Sequence, residues 1–128
     1  MKKILLSLGM VAVLAACAST NNVNSYNRTS EAPSSVSKSE LRQAIIAAGV
    51  ERGWTVKDLN NSTLQGTISA KGGISATTDV TYGPGQYQFK LIKSTGLGQN
   101  GDTIHRRYNN WINYWDIGIQ NRVNSAAQ

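Results

Sequence analysis

Between Ile104 and Val123 the residues Ile104, Tyr108, Trp111, Ile112, Trp115, Ile119 and Val123 follow one another at steps of three and four. At helical pitch this spacing gathers them into one stripe, with Arg107, Asn110, Asn113, Gln120 and Asn121 outside it. Two of the chain's three tryptophans lie on the stripe, so a C-terminal amphipathic helix supplies much of the core's bulk. Whatever precedes it must offer an apolar surface to cover that stripe.

The segment upstream has the pattern to do so. Trp54-Thr55-Val56-Lys57-Asp58-Leu59 alternates at first and ends in the turn-like Asn60-Asn61-Ser62. Leu64, Ile68 and Ala70 then alternate with Gln65, Thr67 and Ser69, and Gly66 marks a thin spot where a bulge or a close neighbour sits. Gly72-Gly73 is a hairpin signal, after which Ala76, Thr78, Val80 and Tyr82 alternate with polar residues. Gly83-Pro84-Gly85 turns the chain again, and Tyr87, Phe89 and Leu91 close the series. Short loops between alternating runs predict a four-stranded antiparallel meander with one apolar face.

A second helix is predicted before the meander. Ser37-Lys38-Ser39-Glu40 fits a capping box, and Leu41, Ala44, Ile45 and Ala48 make one face of the run from Leu41 to Arg52. Gly53 is placed to end it in a left-handed cap, with Trp54 folding back on the last turn. Ile46 and Val50 lie on roughly the opposite side, which is best accounted for by packing against the C-terminal helix. The expected fold is therefore α+β, a two-layer sandwich in which both helices cover one face of the sheet in the order α-β-β-β-β-α. The other sheet face, rich in Thr, Ser, Gln and Lys, is left to water or to a flat polar partner.

The start of the chain concerns location. Met1-Lys2-Lys3 is a short positive region, and Ile4 to Ala15 is an apolar run too short to span a bilayer but sized for a signal peptide. It ends in Leu14-Ala15-Ala16-Cys17, which resembles a bacterial lipobox, and Cys17 is the chain's one cysteine. The expectation is a signal peptide over 1–16 and lipidation at Cys17, by a diacylglycerol and an N-acyl chain, with no other cofactor. A flexible tether over 17–36 and a globular domain over 37–128 follow. The tether reading rests on the Asn/Ser/Thr richness of the stretch after Cys17, which has too few apolar side chains to offset the entropy of ordering. In lipoproteins of two-membrane bacteria an Asp after the cysteine usually retains the protein in the inner membrane. By resemblance, Ala18 points to an outer-membrane lipoprotein facing the periplasm.

Composition removes several function classes. With one cysteine, the mature chain has no disulfide framework and no Cys-based metal site, and with one histidine no multi-histidine metal site. Removing Lys2 and Lys3 leaves eleven basic against seven acidic residues, a net charge of +4, dispersed except at Arg106-Arg107 and Lys90/Lys93. Dispersed charge without a basic stripe argues against nucleic acid as a partner. The loop Ser94–Gly101 carries three glycines, but Gly98-x-x-Gly101 lacks the Lys and Ser/Thr of a phosphate loop. Asp102 or Thr103 is expected to cap the last helix.

For catalysis, Ser94, His105 and Asp102 are the nearest to a triad, yet neither Ser94 nor Asp102 precedes a nucleophile turn. Asp58, Asp79, Asp102 and Asp116 read as isolated carboxylates rather than a glycosidase pair. A structural role is preferred: Ser94, His105, Tyr108 and Asn109 as a polar network pinning the last strand to the last helix. Tyr114 and Ile117 fall outside the stripe and are weak pointers to a contact surface.

The segment Ile104-His105-Arg106-Arg107-Tyr108-Asn109-Asn110-Trp111, with Ser94 and Leu97 upstream, resembles the Ile-His-x-x-Tyr-Asn-x-Trp motif of a family of small uncharacterised bacterial lipoproteins. Members have a lipobox, a short tether, a helix and a small meander. They often carry a tyrosine near the position of Leu91 and an asparagine at that of Gly96. The resemblance implies fold and location and no activity. The expected role is a non-enzymatic accessory or adaptor protein of the envelope, anchored to the membrane by lipid. The alternative is a binder of cell-wall glycan or lipid headgroups through the polar sheet face or the Ser94–Asn109 region.

Overall fold

The computed structural model describes residues 20–22, 27–100 and 103–127. The leader, Cys17, Gly101 and Asp102 lie outside them. In chain order the elements are β1 (Thr20–Asn22), β2 (Thr29–Glu31), α1 (Lys38–Glu51), β3 (Thr55–Asn60), β4 (Thr63–Ala70), β5 (Ile74–Gly83), β6 (Gln86–Thr95), β7 (Thr103–His105) and α2 (Arg106–Ala126). The fold is α+β, with an antiparallel sheet in the order β2-β6-β5-β4-β3 and a separate pair β1-β7.

Helix α1 forms where the sequence places it. Ser37 accepts from the Glu40 N–H at 3.0 Å while the Glu40 carboxylate accepts from the Ser37 N–H at 2.9 Å, a complete capping box. At the other end Gly53, at φ +94°, lets Trp54 N–H reach Gly49 C=O (2.9 Å) and Gly53 N–H reach Val50 C=O (3.1 Å). This is a Schellman closure, and it swings Trp54 under the helix.

Register then builds the core. Leu64 faces Val80, Gly66 faces Thr78 and Ile68 faces Ala76 across β4-β5, while Val80 faces Phe89 and Tyr82 faces Tyr87 across β5-β6. Because side chains alternate along a strand, these residues share one face, and both helices lie on it. Trp115 fills the centre. Its ring lies 4.6 Å from that of Trp54 and 5.4 Å from that of Phe89, and its indole N–H donates to Ile45 C=O at 2.9 Å. A Cβ added at Gly66 would stand 2.6 Å from the Trp115 ring, and one at Gly49 2.9 Å. The glycine read as a thin spot in β4 is thus the floor on which Trp115 rests.

The structure corrects three expectations. The sheet has five strands, not four, and the fifth, β2, comes from the stretch read as tether. Thr29, Ser30 and Glu31 pair with Gln88, Tyr87 and Gln86, and β1 pairs with β7. Side-chain bonds to distant residues hold β2 in place of apolar burial, which is why composition mistook it for tether. The last helix starts at Arg106, so Ile104, although buried on the same side, belongs to β7. Its cap is His105, whose Nδ1 accepts from Arg107 N–H at 3.0 Å, rather than Asp102 or Thr103.

Replacing Gly66 by alanine is expected to destabilise the domain by about 1–3 kcal/mol, the range for overpacking a filled core. Gly83→Ala, where nothing lies within 4 Å of the new Cβ, should stay within about 0.5 kcal/mol of the parent. Urea melts of the two variants check this, and equal midpoints would refute the fit of Trp115 against β4.

Candidate functional site

The four residues expected to form a polar network are bonded elsewhere. Ser94 Oγ donates to Gln99 Oε1 at 2.7 Å, within its own loop. His105 is exposed and spends Nδ1 on the cap of α2. Tyr108 is buried, its hydroxyl 2.7 Å from Thr78 Oγ1, which ties α2 to β5. Asn109 is half-buried on the first turns of α2. Tyr108 does join the helix to the sheet, but through Thr78. Ser94 and His105 have no hydrogen bond to each other among the described residues, so the arrangement has no nucleophile and base in reach.

A denser polar centre lies between α2 and the β2 edge. Asp116 accepts from Ser30 Oγ at 3.0 Å and from the Tyr87 hydroxyl, and sits 3.2 Å from Arg28 Nη2. Arg28 Nη1 donates to Asn113 Oδ1 at 2.8 Å, and Gln120 Nε2 donates both to Tyr87 Oη (2.7 Å) and to Glu31 C=O (2.8 Å). Phe89 N–H donates to Arg28 C=O and Leu91 N–H to Asn27 Oδ1, both at 2.9 Å, extending the edge pairing past β2. Burial, and next the bond to Asp116, push the Tyr87 phenol far above its ordinary value. Chemically the cluster is a clasp: each of these side chains bonds another, with only the buried Arg28 Nε left without a partner among the described residues, and together they fix residues 27–31 onto sheet and helix. Asp116 is therefore no isolated carboxylate. Arg28, alone among Asn, Ser and Thr, was the one sign of it in the sequence.

An open cleft of about 750 Å³ lies by the start of α1, lined by Lys38, Ser39, Arg42, Asp58, Leu59, Asn60, Asn61 and Tyr82. Arg42 is forked onto Asp58 at 2.6 and 3.2 Å, and Lys38 Nζ donates to Ser62 Oγ at 3.0 Å. Asp58 too has a partner that the sequence did not disclose. On the outer side of the helix pair, Val50, Tyr114 and Ile117 are 58%, 49% and 52% exposed, as their positions off the stripe predict for the last two. The Arg52 guanidinium lies 4.8 Å from the Tyr114 ring centre, a cation–π contact from the C-cap of α1 to α2. No family model, curated protein or solved structure matches the chain.

Asp116→Asn is expected to lower stability by about 1.5–3 kcal/mol, the range for hydrogen bonds to a charged group. Amide exchange at Phe89 and Leu91, which depends on residues 27 and 28 staying in place, should accelerate more than at Leu64. Uniform acceleration would mean that the clasp does not hold this edge separately. The raised Tyr87 pKa carries a sign: its stabilising contribution is complete below about pH 10, the free tyrosine value, and is lost as pH rises above it. Stability above pH 10 should thus fall more steeply in the parent than in Tyr87→Phe, as read from urea midpoints across pH, and matching slopes would exclude the phenol as cause.

Proposed function

We propose that the protein is an outer-membrane-anchored lipoprotein of the bacterial envelope, acting by contact as an accessory or adaptor and not as an enzyme. The observation that carries the location is the leader Met1-Lys2-Lys3 followed by an apolar run and Leu14-Ala15-Ala16-Cys17. A Cys17 carrying diacylglycerol and an N-acyl chain has the several chains that stable anchoring requires. Among the described residues no helix is long and apolar enough to cross a membrane, so the anchor in this reading is the lipid. Ala18 and the Ile104–Trp111 motif, with its likeness to small uncharacterised lipoproteins, support the same reading.

The adaptor role is supported by how the polar side chains are used. Asp116, Tyr87 and Arg28 hold the fold's edge, and His105 caps a helix. Outward on the helices are Val50, Tyr114 and Ile117, with Arg52 on the Tyr114 ring, a composition that suits a contact patch, while Leu59 and Ile92 are outward on the strands. A second reading, binding of cell-wall glycan, has the α1 cleft in its favour. Its volume is that of a small-ligand site and its lining offers amide, carboxylate and guanidinium groups.

Cys17→Ser is expected to move the protein out of the membrane fraction, and the parent's N-terminal peptide should carry the acyl mass. Photocrosslinkers at Tyr114 and Ile117 should give one dominant protein adduct in cells, and those at Lys90 and Thr67 on the sheet's outer face none. Adducts from the sheet alone would move the working face. No protein adduct at all, together with resonance shifts on titrating peptidoglycan fragments, would replace the adaptor by the glycan binder.

A further inference from the structure

The chain between the anchor and the fold is far shorter than its composition suggests. Thr20 lies directly opposite His105, Asn21 opposite Ile104 and Asn22 opposite Thr103 in the β1-β7 ladder. Three peptide steps separate Cys17 from Thr20, and even fully extended they span only about 10–11 Å. The ladder adds about 5 Å to His105. A lipid on Cys17 therefore brings one end of the domain to the bilayer surface.

That end is basic. Arg106 and Arg107, both exposed, form the first turn of α2 directly after His105. His105 N–H donates to Leu97 C=O at 2.8 Å, and Gly96 packs on Gly73, where its added Cβ would lie 3.2 Å from the Gly73 carbonyl oxygen. The β4-β5 turn with exposed Lys71, and the end of β6 with exposed Lys93, accordingly belong to the same end. Acidic residues are committed elsewhere. Glu31 and Glu40 lie at the opposite end, by the β5-β6 and β3-β4 turns, and Asp58 is forked to Arg42. Asp79 accepts from Gln65, Glu51 pairs with Arg122, and Asp116 is in the clasp. Asp102, in the adjoining loop by sequence, is outside the described residues.

Arg106 and Arg107 also occupy a place that their charge disfavours. The N-terminal turn of a helix is the positive end of its dipole and favours anions, yet this turn has no acidic residue. Among the described residues neither arginine has an ion pair, so the turn has no anionic partner there. On the surface where a Cys17 lipid would sit, anionic phospholipid headgroups would offer such a partner.

We propose that the end of the domain built from β7, the first turn of α2 and the β4-β5 turn docks on anionic phospholipid headgroups, with Arg106, Arg107, Lys71 and Lys93 as the contacts. This rests on the lipid-anchor reading and adds a fixed orientation to it. Docking puts the β5-β6 turn farthest from the bilayer and leaves Tyr114 and Ile117, two turns or more along α2, clear of the headgroups.

The test uses the mature lipidated chain in nanodiscs containing a gadolinium-chelating lipid. One set is phosphatidylcholine alone, the other has a third of it replaced by phosphatidylglycerol. Mass spectrometry of the N-terminal peptide comes first: absence of the acyl mass would overturn the anchor reading, and this inference with it. With the acyl chains present, amide signals of residues 71–73, 96–98 and 103–107 should broaden several-fold more than those of 60–62 and 85–86 in the anionic discs. The bias should collapse at high salt and in Arg106→Glu/Arg107→Glu. Glutamate in a first helical turn favours the helix, so lost docking in that variant does not reflect unfolding. Equal broadening at both ends would overturn the proposal while leaving the anchor intact. A bias that survives both charge reversal and phosphatidylcholine alone would overturn the headgroup contacts in favour of a purely geometric orientation.

Discussion

The packing of Trp115 against two glycines is the contact on which the two layers depend. An indole is too large to share a helix–sheet interface with an ordinary strand side chain beneath it and an ordinary helix side chain beside it. Gly66 in β4 and Gly49 in α1 remove both obstacles, and Trp54 and Phe89 close the space around the ring. The indole N–H, which would be costly to bury alone, reaches the Ile45 carbonyl one turn before Gly49. One side chain thus meets sheet, first helix and its own helix, and couples the formation of all three.

The clasp around Asp116 answers a different problem. β6 is ten residues long and would be a bare sheet edge without cover, an invitation to pairing with another chain. β2 covers only three of its residues, and its own Thr-Ser-Glu has little to bury. The cover is held from above by α2, through Arg28, Ser30 and Glu31 bonding to Asn113, Asp116 and Gln120. These contacts span some 85–89 residues of sequence, so they form only once the helix has docked on the sheet.

That separation explains which parts of the fold were legible. Period and alternation are local signals, and they located α1, the meander and the buried stripe of α2, together with the capping box and the Gly53 closure. β1 and β2 carry no such signal. Thr-Asn-Asn and Thr-Ser-Glu look like any polar linker, and only partners at 86–88 and 103–105 make them strands. The start of α2 was misplaced for a related reason. Ile104 and Tyr108 are one helical turn apart in spacing and are both buried, so the stripe runs without a break through a strand–helix junction. Histidine is also a less usual cap than the Asp102 and Thr103 beside it. In the candidate site, Ser94 and His105 are close in sequence but turned to different bonds. Arg28 and Asp116, 88 positions apart, meet.

The β1-β7 ladder changes what a modest net charge can do. A flexible tether of about 20 residues has a mean span near 25 Å, well beyond the Debye length of about 8–10 Å at physiological salt. On such a leash the four basic groups at the domain's end would spend most of their time screened from the membrane, and +4 spread over the surface would have no consequence. With a lipid on Cys17 and the ladder beginning at Thr20, the free length falls to about 10 Å, within the distance at which headgroup and guanidinium still interact. The same charges then act together at a fixed place. In the lipid-anchored reading, a three-residue strand paired with β7 decides whether the domain would swing freely or stand on the bilayer with Tyr114 and Ile117 held at a constant height.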